Sequence, residues 1–310
     1  MLSPARTTDE NRKHWGNADS LSAVAQLNPH VRQTLRNRAR YEVQNNSYAT
    51  GLIRTLVNDT VGRGPRLQMM TPDAKLNKTV EELWREWAAA ADWALTVRMM
   101  AGVRYVAGEC FGIFRESKRL DRLGLPVSLD LKLIEPEQVT DSTFGTNQKG
   151  DDGVICDSDG EVTAYRVLKE HPGDTRVFFA GAFESETIKA ENMLHWFCPE
   201  RPGQLRGYTP LTPSLPIFAQ LRRYTTATLS AAELAASLAG VMMQDGQIHA
   251  GEETIAEEAY ATLDIVRNML LTLPPGASIS QFKPEQPTTN YDMFVNAKLR
   301  ECGRCLNVPF

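Results

Sequence analysis

Only a few residues of this chain combine a reactive type with a spacing that could do chemistry. Cys302 and Cys305 form a CxxC pair, which would suit a redox dithiol or half of a zinc site. A structural zinc site needs four ligands. The sequence offers no second cysteine pair, and His195 and His249 are isolated. The sequence therefore favours the simpler interpretation, in which two small buried residues lie one helical turn apart.

Acidic clusters make an equally weak case for a metal or an acid–base site. Residues 151–153 and 157–160 are rich in Asp, but their spacing does not match the calcium-binding EF-hand loop. Turn formation explains them better. The Glu pairs at 81–82 and 252–253 are adjacent, so their side chains point apart on a helix. The sequence contains no Walker A, GxGxxG, GxSxG or HExxH motif. We therefore predict no catalytic residue, no metal site and no cofactor.

Composition narrows the class of protein. Apolar residues make up 42% and charged residues 23% of the 310 residues, which is ordinary for a soluble globular protein. The formal net charge of −4 disfavours a broad basic surface that grips nucleic acid, but it allows a channel that nucleic acid passes without sticking. No apolar run is long enough to span a bilayer, and the polar start has no apolar signal core. The five cysteines favour a reduced compartment, and we expect synthesis in the cytoplasm.

The first hundred residues predict helices. Asn28 is a good cap and Pro29 a good first residue for the first of them. Its apolar residues recur every four positions from Val31 to Val43, and its other face is basic. That basic face would suit phosphate binding, solvent exposure or contact with another subunit; its residues are Arg32, Arg36, Arg38 and Arg40. Further helices are predicted at 48–61, 75–90 and 96–107, with a short strand at 66–70.

From residue 109 the period changes to that of strands. Residues 110–115 and 129–134 are strand-like, and the second stretch alternates cleanly. Residues 154–156 and 162–167 flank an Asp-Gly turn and predict a hairpin. A last strand is predicted at 193–198. Because several short strands follow one another, we expect a small barrel or sandwich and an α+β fold class.

A Pro-rich connector follows the strands. It covers residues 201–216 and leads into a long helix, 212–239, whose second half is rich in Ala. We expect a polar loop from residue 244, a helix at 254–271, a short strand at 278–282, and a last helix from Asn290. The apolar end of the sequence, directly after a helix, suggests a sequence that is cut short.

Three stretches resemble the lambda-type family of tailed-phage portal proteins. Residues 40–49 and 61–68 are similar to the family's Arg-rich helix, NN-x-Y-A step and V-G-x-G-x-x-L exit. Residues 201–211 resemble the RPGQ-x-RG connector. Residues 275–310 are similar to the segment LPPG…P-x-x-P…F…LR…LGVPY, beyond which the family continues. The order and spacing of these motifs, from about residue 15 to the end, make the resemblance specific.

The resemblance implies a non-enzymatic structural subunit of the virion. Family members form a dodecameric ring at one capsid vertex, through which DNA is packaged and ejected. The implied partners are other copies of the chain, double-stranded DNA, the terminase motor, a head-completion protein and the major capsid protein, with no membrane. Assembly in the bacterial host cytoplasm is implied as well, for an active phage or a prophage.

The family's parts map onto the chain as expectations. Residues 1–26 would be a flexible arm, followed by a wing whose helical part is 27–108 and whose β-rich part is 109–200. The connector and first stem helix would cover 201–239, a short clip-like loop 240–253, and the second stem helix 254–272. A channel-side loop at 273–290 and a wing helix at 291–310 would complete it, with the crown missing.

The resemblance also suggests roles for individual residues. The connector residues would redirect the chain into the stem, with prolines fixing φ and with Gly203 and Gly207 supplying positive φ; they are Arg201, Pro202, Gly203, Arg206, Gly207 and Pro210. The DNA channel would be lined by Lys283, Gln286, Thr288 and Thr289. Contacts between subunits would involve Arg32, Arg36, Arg40, Ala232, Ala235 and Ala236.

Two alternatives remain open at this stage. One is a thiol- or zinc-dependent enzyme that uses Cys302 and Cys305. The other is a small nucleic-acid-binding module that uses the Arg-rich first helix.

Overall fold

The computed structural model describes residues 12–141, 150–174, 184–237, 241–244, 277–280 and 290–308. The chain divides into two compact units. The first comprises Met1–Leu215 with Gly303–Phe310, and the second comprises Pro216–Cys302. The described residues contain both helices and strands, so the α+β class is confirmed.

Six helices belong to the first unit among its described residues: α1 (Ala23–Gln26), α2 (Pro29–Asn45), α3 (Ser47–Val61), α4 (Ala74–Ala90), α5 (Trp93–Ala107) and α6 (Lys118–Arg122). Their starts follow from capping side chains. The Asn28 side chain accepts from the backbone N–H of Val31, and the Asp73 carboxylate accepts from those of Lys75 and Leu76. The predicted helices at the start of the chain are therefore confirmed, although α5 begins three residues earlier than expected.

The strand predicted at residues 66–70 is wrong. These residues adopt no regular structure, and Met70 is 88% exposed. The backbone N–H of Met69 donates to the Glu81 carboxylate on α4 at 2.8 Å, so a side chain takes the place of a strand partner. The residue types at positions 66–70 do not indicate whether a second strand lies beside them to accept backbone hydrogen bonds.

Two antiparallel sheets make up the β part. The first sheet has the order β2-β1-β7, from β1 (Glu109–Glu116), β2 (Leu129–Ile134) and β7 (Met193–Phe197). The second has the order β3-β4-β5-β6, from β3 (Gly150–Asp151), β4 (Val154–Cys156), β5 (Val162–Leu168) and β6 (Ser185–Lys189). The predicted hairpin is confirmed, since β4 pairs with β5 across the Asp-Gly turn.

The two sheets share one apolar core. Phe111 and Met193 from the first sheet pack with Val154, Tyr165 and Val167 from the second. Neither sheet closes on itself in the described part of the chain; a single bridge, between Val139 and Val167, adds to the paired strands. Of the barrel or sandwich that we predicted, the barrel is wrong, and the core shared by the two sheets fits the sandwich. The spacing of strand-like segments predicts the number of strands. Whether the strands close into a barrel depends on how their side chains pack in the core.

The second unit contains most of two helices and a pair of short strands. Helix α7 (Leu215–Ser237) follows a 3-10 turn at Thr212–Ser214, and α8 (Asn290–Arg304) begins at the predicted residue. Leu221 of α7 packs against Val295 and Leu299 of α8. Strands β8 (Val241–Gln244) and β9 (Ala277–Ser280) are antiparallel, and β9 falls close to the predicted strand. The helix predicted at 254–271 lies outside the described residues.

No helix among the described residues combines the length and the apolar content that crossing a lipid bilayer requires.

Candidate functional site: a buried ionic cluster that holds the connector

A fully buried carboxylate lies at the centre of the first unit. Glu109 is the first residue of β1 and is 0% exposed. Helix α5 ends at Ala107, and its cap residue Gly108 has a φ of 93°, which lets the chain turn directly from helix to strand. A carboxylate this far from water must be paired and hydrogen-bonded to remain charged.

Arg206, from the connector, is the main partner of Glu109. Its Nη2 lies 2.7 Å from Oε1 and its Nε lies 2.9 Å from Oε2, a two-point contact that favours one orientation. The guanidinium also donates to the backbone carbonyls of Val139, Asp152 and Pro136. Its carbon lies 5.2 Å from the ring centroid of Phe111. Arg206 therefore ties the connector to both sheets at once.

Helix α2 supplies two more buried arginines. Arg32 pairs with Asp151 at 2.7 Å and with Asp152 at 2.9 Å. Arg36 pairs with Glu109 at 3.3 Å and with Glu137 at 3.2 Å. We call these charged residues the ionic cluster; its members are Arg32, Arg36, Arg206, Glu109, Glu137, Asp151 and Asp152. Three cations and four carboxylates from distant parts of the chain thus meet in the interior.

Burial and pairing compete in setting the pKa values of the cluster. Burial would raise the pKa of Glu109, but the charge of Arg206 and hydrogen bonds from His195 and Arg206 outweigh burial and hold the pKa well below its usual value. Burial would lower the pKa of Arg206, yet the charge of Glu109 raises it above the ordinary value. At Asp151 burial prevails over the charge of Arg32, and the pKa is raised. The central Glu109–Arg206 pair is therefore ionised at neutral pH.

His195, on β7, closes the other side of Glu109. Its Nε2 lies 3.3 Å from Glu109 Oε2, and its ring stacks on Phe111 and Phe197, with centroids 4.1 Å and 4.4 Å apart. Burial lowers the pKa of His195 more than the hydrogen bond and charge of Glu109 raise it. The neutral imidazole is therefore favoured at neutral pH, with a proton on Nε2 to donate to the carboxylate. Our description of His195 as isolated in the sequence did not anticipate this contact.

The connector is folded into a tight turn before it reaches Arg206. Gly203 has a φ of 77°, as predicted, and the Gln204 side chain accepts from the backbone N–H of Glu200 and of Arg201. The Gln204 amide also donates to the carbonyl of Arg206 at 2.9 Å. Arg201 itself donates to the Gln26 side chain at 2.7 Å. The Gln204 side chain therefore stabilises the turn by bonding to backbone groups on both sides of it.

Gly207 serves a different purpose from the predicted one. Its φ is not in the left-handed region. Instead, a Cβ at this position would lie 2.4 Å from the carbonyl oxygen of Gly108. At Gly108 a Cβ would in turn overlap the backbone of Tyr208. The two glycines let the connector pass against the start of β1, and this contact brings the Gly207 N–H within 2.8 Å of Glu109.

Burial, more than proline, fixes the rest of the connector. Pro202 is exposed and Pro210 is half-buried, whereas Thr209, Leu211 and Ser214 are buried. The Thr209 hydroxyl donates to the carbonyl of Tyr105 on α5 and accepts from the N–H of Leu211. The connector thus reaches the first residue of α7 as part of the packed interior of the first unit.

The arginines that we assigned to an exposed face of α2 are largely internal. Arg32 and Arg36 are 2% and 4% exposed and are paired with carboxylates of the same chain, so the predicted basic face is wrong for these two. Arg40 is half-buried and pairs with Glu137 at 2.6 Å. The structure places the polar face of α2 inward because the sheets present acids to it. The subunit-contact role of Arg32, Arg36 and Arg40 stays a prediction.

The remaining predicted residues fall in the second unit. Ala232 lies on α7 and is half-buried. Ala235 and Ala236 lie on the same helix, outside the residues whose side chains are described. The channel-lining candidates lie outside the described residues altogether; they are Lys283, Gln286, Thr288 and Thr289.

The CxxC pair does not have the properties of a reactive dithiol. Cys302 is buried. Burial raises the pKa of the Cys305 thiol, and the Ser214 hydroxyl lies 3.0 Å from its sulfur. A raised pKa keeps the thiol protonated and poorly nucleophilic.

The nucleic-acid-binding alternative is weakened too, because Arg32 and Arg36 are buried and are not exposed to phosphate.

One group in the described part of the chain has the spacing of metal ligands. It consists of Glu135, Glu137 and His171, whose ligand atoms lie within 4.8 Å of one another. Arg40 already pairs with both glutamates, and Arg36 pairs with Glu137. Because these cations occupy the carboxylates, the group is better explained as the outer edge of the ionic cluster than as a metal site.

Sequence reasoning missed the centre of the cluster. Glu109 and Arg206 are 97 residues apart, and no periodic pattern connects positions at that distance. The signal that could have found Glu109 is an acid directly between a helix-ending glycine and the apolar strand residues Cys110 and Phe111. An acid at a buried strand position requires a cationic partner.

Comparisons with known proteins agree on one family. The profile of the family described as phage portal protein, lambda family, matches residues 9–310. A protein named probable portal protein, from Halomonas phage phiHAP-1, is 26% identical over 292 residues, which cover 86% of this chain and 55% of that protein. The chain therefore spans little more than half the length of this curated relative.

Solved structures show the same fold. A chain in the neck of a native GTA particle, computed with C12 symmetry, matches with a TM-score of 0.51 at 12% identity, covering 91% of this chain and 69% of that chain. A chain in the virion of a native gene transfer agent particle matches with a TM-score of 0.54 at 14% identity and the same coverage.

Proposed function

This chain belongs to the lambda family of phage portal proteins, and we propose that it is a structural subunit of a portal ring. The ring forms the channel through which DNA is packaged into a phage capsid and later ejected. The observation that carries this proposal is the family match over residues 9–310. The likeness of the fold to chains of particle necks supports it.

The proposed assembly is a closed ring of twelve copies. A closed ring requires two different faces on each subunit, one meeting the other on the next copy. The C12 symmetry of the related neck structure supports this number. The ring would sit in the virion at the portal vertex after assembly in the host cytoplasm. Its other partners would be double-stranded DNA, the terminase motor, a head-completion protein and the major capsid protein.

The ionic cluster would hold the connector firmly within the first unit. The first residue of α7 ends a connector that Arg206, Gly207 and Thr209 hold in the interior of the first unit. Separating the buried Glu109–Arg206 pair would leave two charges away from water, at a cost of about 3–5 kcal/mol. The connector would therefore resist being pulled out of the first unit.

The ring requires no chemical step from this chain. Glu109 already accepts bonds from two arginines, His195 and a backbone N–H, so its lone pairs point at protein donors instead of a substrate. The thiol of Cys305 has a raised pKa. These features support a structural role over a thiol-dependent enzyme. The CxxC pair would then contribute packing.

Negative-stain electron microscopy of the purified full chain tests the proposal. We expect ring-shaped particles with a central hole and, by mass photometry, a species near twelve times the subunit mass of 34.6 kDa. Particles that remain single subunits at every concentration up to about 10 mg/ml, a level well above typical interface affinities, would contradict it.

A further inference from the structure

Helix α4 carries an apolar side that the described residues of the first unit leave partly uncovered. Leu76 is 49% exposed and Leu83 is 40% exposed, and no residue of the helix is fully buried. The two leucines lie seven positions apart and so share one face. A 17-residue helix gains most of its stability from burying such a face against a partner.

Large apolar side chains are also exposed between β1 and β2, at a segment that is hydrogen-bonded to α4. The indole N–H of Trp87 on α4 donates to the carbonyl of Leu129 on β2 at 2.9 Å, which joins the two elements. Leu123, Val127 and Leu129 are 60%, 51% and 43% exposed. Single exposed leucines are ordinary, but five large apolar side chains on joined elements mark an interaction surface.

Cations border this apolar surface. Lys118, Arg119 and Arg122 lie on the exposed side of α6, directly before Leu123. None of the three has an ion-pair partner among the residues that the structure describes, in contrast to Arg115, which pairs with Asp130 at 2.8 Å. We call the whole set the α4–α6 face. The unpaired cations of this face require an occupant that brings negative charge.

The chain itself provides negative charge on another surface. Among the described residues, the second sheet and its turns expose many more acids than bases; the exposed acids are Asp157, Asp159, Glu161, Glu170, Glu184, Glu186 and Glu191. The exposed bases there, Lys169 and Lys189, already pair with Glu184 and Glu191. We call this the acidic face. Opposite charges on two separate faces of one chain favour contact between copies in one orientation.

We propose that the α4–α6 face of one copy binds the acidic face of the next copy. This inference rests on the proposed ring and deepens it by naming the two faces. A two-fold contact between α4–α6 faces would instead bring six unpaired cations together, which is repulsive. Head-to-tail contact places each cation near carboxylates and lets successive copies close into a ring.

Charge reversal on each face tests this arrangement. The first variant carries Lys118→Glu, Arg119→Glu and Arg122→Glu, and the second carries Glu161→Lys, Glu170→Lys and Glu186→Lys. All six positions are exposed, so the variants should fold. We expect each variant alone to associate at least about tenfold more weakly than the unchanged chain, because like charges then meet.

Mixing the two variants provides the decisive measurement. In the mixture, the acidified α4–α6 face of the first variant meets the acidic face of the second variant, which the substitutions have made basic. The unchanged α4–α6 face of the second variant meets the unchanged acidic face of the first. We therefore expect an equimolar mixture, followed by mass photometry and negative-stain microscopy, to recover rings of alternating subunits. The chain with all six substitutions should assemble alone.

Matched controls test whether a loss of assembly depends on where the reversed charges lie or only on the change in net charge. Reversing three exposed arginines of α2, α3 and the following turn, Arg38→Glu, Arg54→Glu and Arg63→Glu, changes the net charge equally and should leave assembly unchanged. Leu83→Asp should weaken assembly, whereas Tyr48→Asp, at a residue that is 52% exposed on α3, should not. Circular dichroism verifies that each variant is folded.

The outcomes distinguish this inference from the proposed function. Rings formed by the unchanged chain and equally well by both charge-reversal variants would overturn the inference and leave the portal role intact. A two-fold dimer, or failure of the mixture to assemble, would also overturn it. An unchanged chain that never assembles would contradict the portal role as well.

Discussion

Glu109 shows how one buried side chain can organise distant segments. It receives hydrogen bonds from Arg206, Arg36, His195 and the N–H of Gly207, which come from three different parts of the sequence: α2, β7 and the connector. Each of these donors would lose one acceptor if the carboxylate were removed. Glu109 is therefore the residue on which the position of the connector depends most.

Replacing Glu109 with Gln should be strongly destabilising. The amide keeps the shape but removes the negative charge, so Arg206 and Arg36 are left buried without full compensation. We expect the free energy of unfolding to fall by about 3–5 kcal/mol. Urea denaturation at pH 7 measures this decrease in the free energy of unfolding. The matched change at an exposed acid, Glu186→Gln, should alter stability by less than about 0.5 kcal/mol. A loss below about 1 kcal/mol at Glu109 would contradict the assigned role.

Gly207→Ala tests the close approach of the connector to β1. The added Cβ would lie 2.4 Å from the carbonyl oxygen of Gly108 and 2.9 Å from the Glu109 side chain. The backbone must move to relieve this overlap, and we expect a loss of about 1–3 kcal/mol in unfolding free energy. Gly51→Ala, inside α3, has open space around the new methyl group and should be neutral or stabilising. Equal stabilities for the two variants would disprove the close-contact explanation.

His195 makes stability depend on pH in a defined direction. Its pKa is lowered in the folded protein, so the unfolded chain takes up the proton first as pH falls below about 6.5. Stability is then lost on acidification, by up to about 1.4 kcal/mol per pH unit. We expect His195→Gln to reduce the loss measured between pH 7.5 and 5.5 by thermal and urea denaturation. His171→Gln, at a half-buried histidine, is the control, and an unchanged loss in His195→Gln would refute the assignment.

At the scale of elements, α2 buries its charges and leaves much of its apolar side half-buried. Arg32, Arg36 and Glu42 are buried, whereas Val31 and Leu35 are only half-buried. Such a helix would be unstable against an apolar sheet. It is stabilised here because β1, β3 and the residues after β2 present carboxylates to it. The carboxylates of the sheets and the arginines of α2 therefore need each other to remain buried.

The junction of α2 and α3 depends on Asn46. Its backbone N–H donates to the carbonyl of Glu42 at the end of α2, and its side chain accepts from the N–H of Tyr48 at the start of α3. One residue thus ends one helix and caps the next. This explains in physical terms why an NN-x-Y-A step occurs between them.

Asn46→Ala should therefore destabilise the first unit. Loss of a side-chain cap costs about 1 kcal/mol, and we expect that decrease in unfolding free energy. Asn45→Ala removes only an exposed bond to the carbonyl of Tyr41 and should have a smaller effect. Urea denaturation of the two variants compares them directly, and equal losses would argue against the cap.

For the whole molecule, charge distribution matters more than total charge. The net charge of −4 is spread over an acidic second sheet, a basic α6 and an ionic cluster whose three cations and four carboxylates pair with one another. A ring built from such subunits would join opposite charges at its interfaces. Its overall negative charge would remain available to repel a duplex in the channel.

Assembled rings should therefore bind free duplex DNA weakly. Phosphate contact is the main source of nonspecific affinity, and a net negative particle provides little of it. We expect a Kd weaker than about 1 µM for a blunt duplex at about 0.15 M salt in fluorescence anisotropy. A polybasic peptide serves as the positive control for binding. A submicromolar Kd that persists at high salt would contradict a channel that releases DNA.

The sequence by itself determined the local elements and the family. Asn28-Pro29, Asp73 and Gly62 mark helix ends because caps and turns depend on neighbouring residues. The order of the motifs around residues 40–68 and 201–211 indicated the family, which the profile match confirms.

Only the tertiary structure decided which charges are internal. Arg32 and Arg36 look like a solvated face in the sequence, and Gly207 looks like a turn glycine. Their true surroundings depend on Glu109, Glu137 and the backbone of Gly108, which lie far along the chain. Burial of a charge depends on whether a partner arrives from elsewhere, and local periodicity carries no information about that partner.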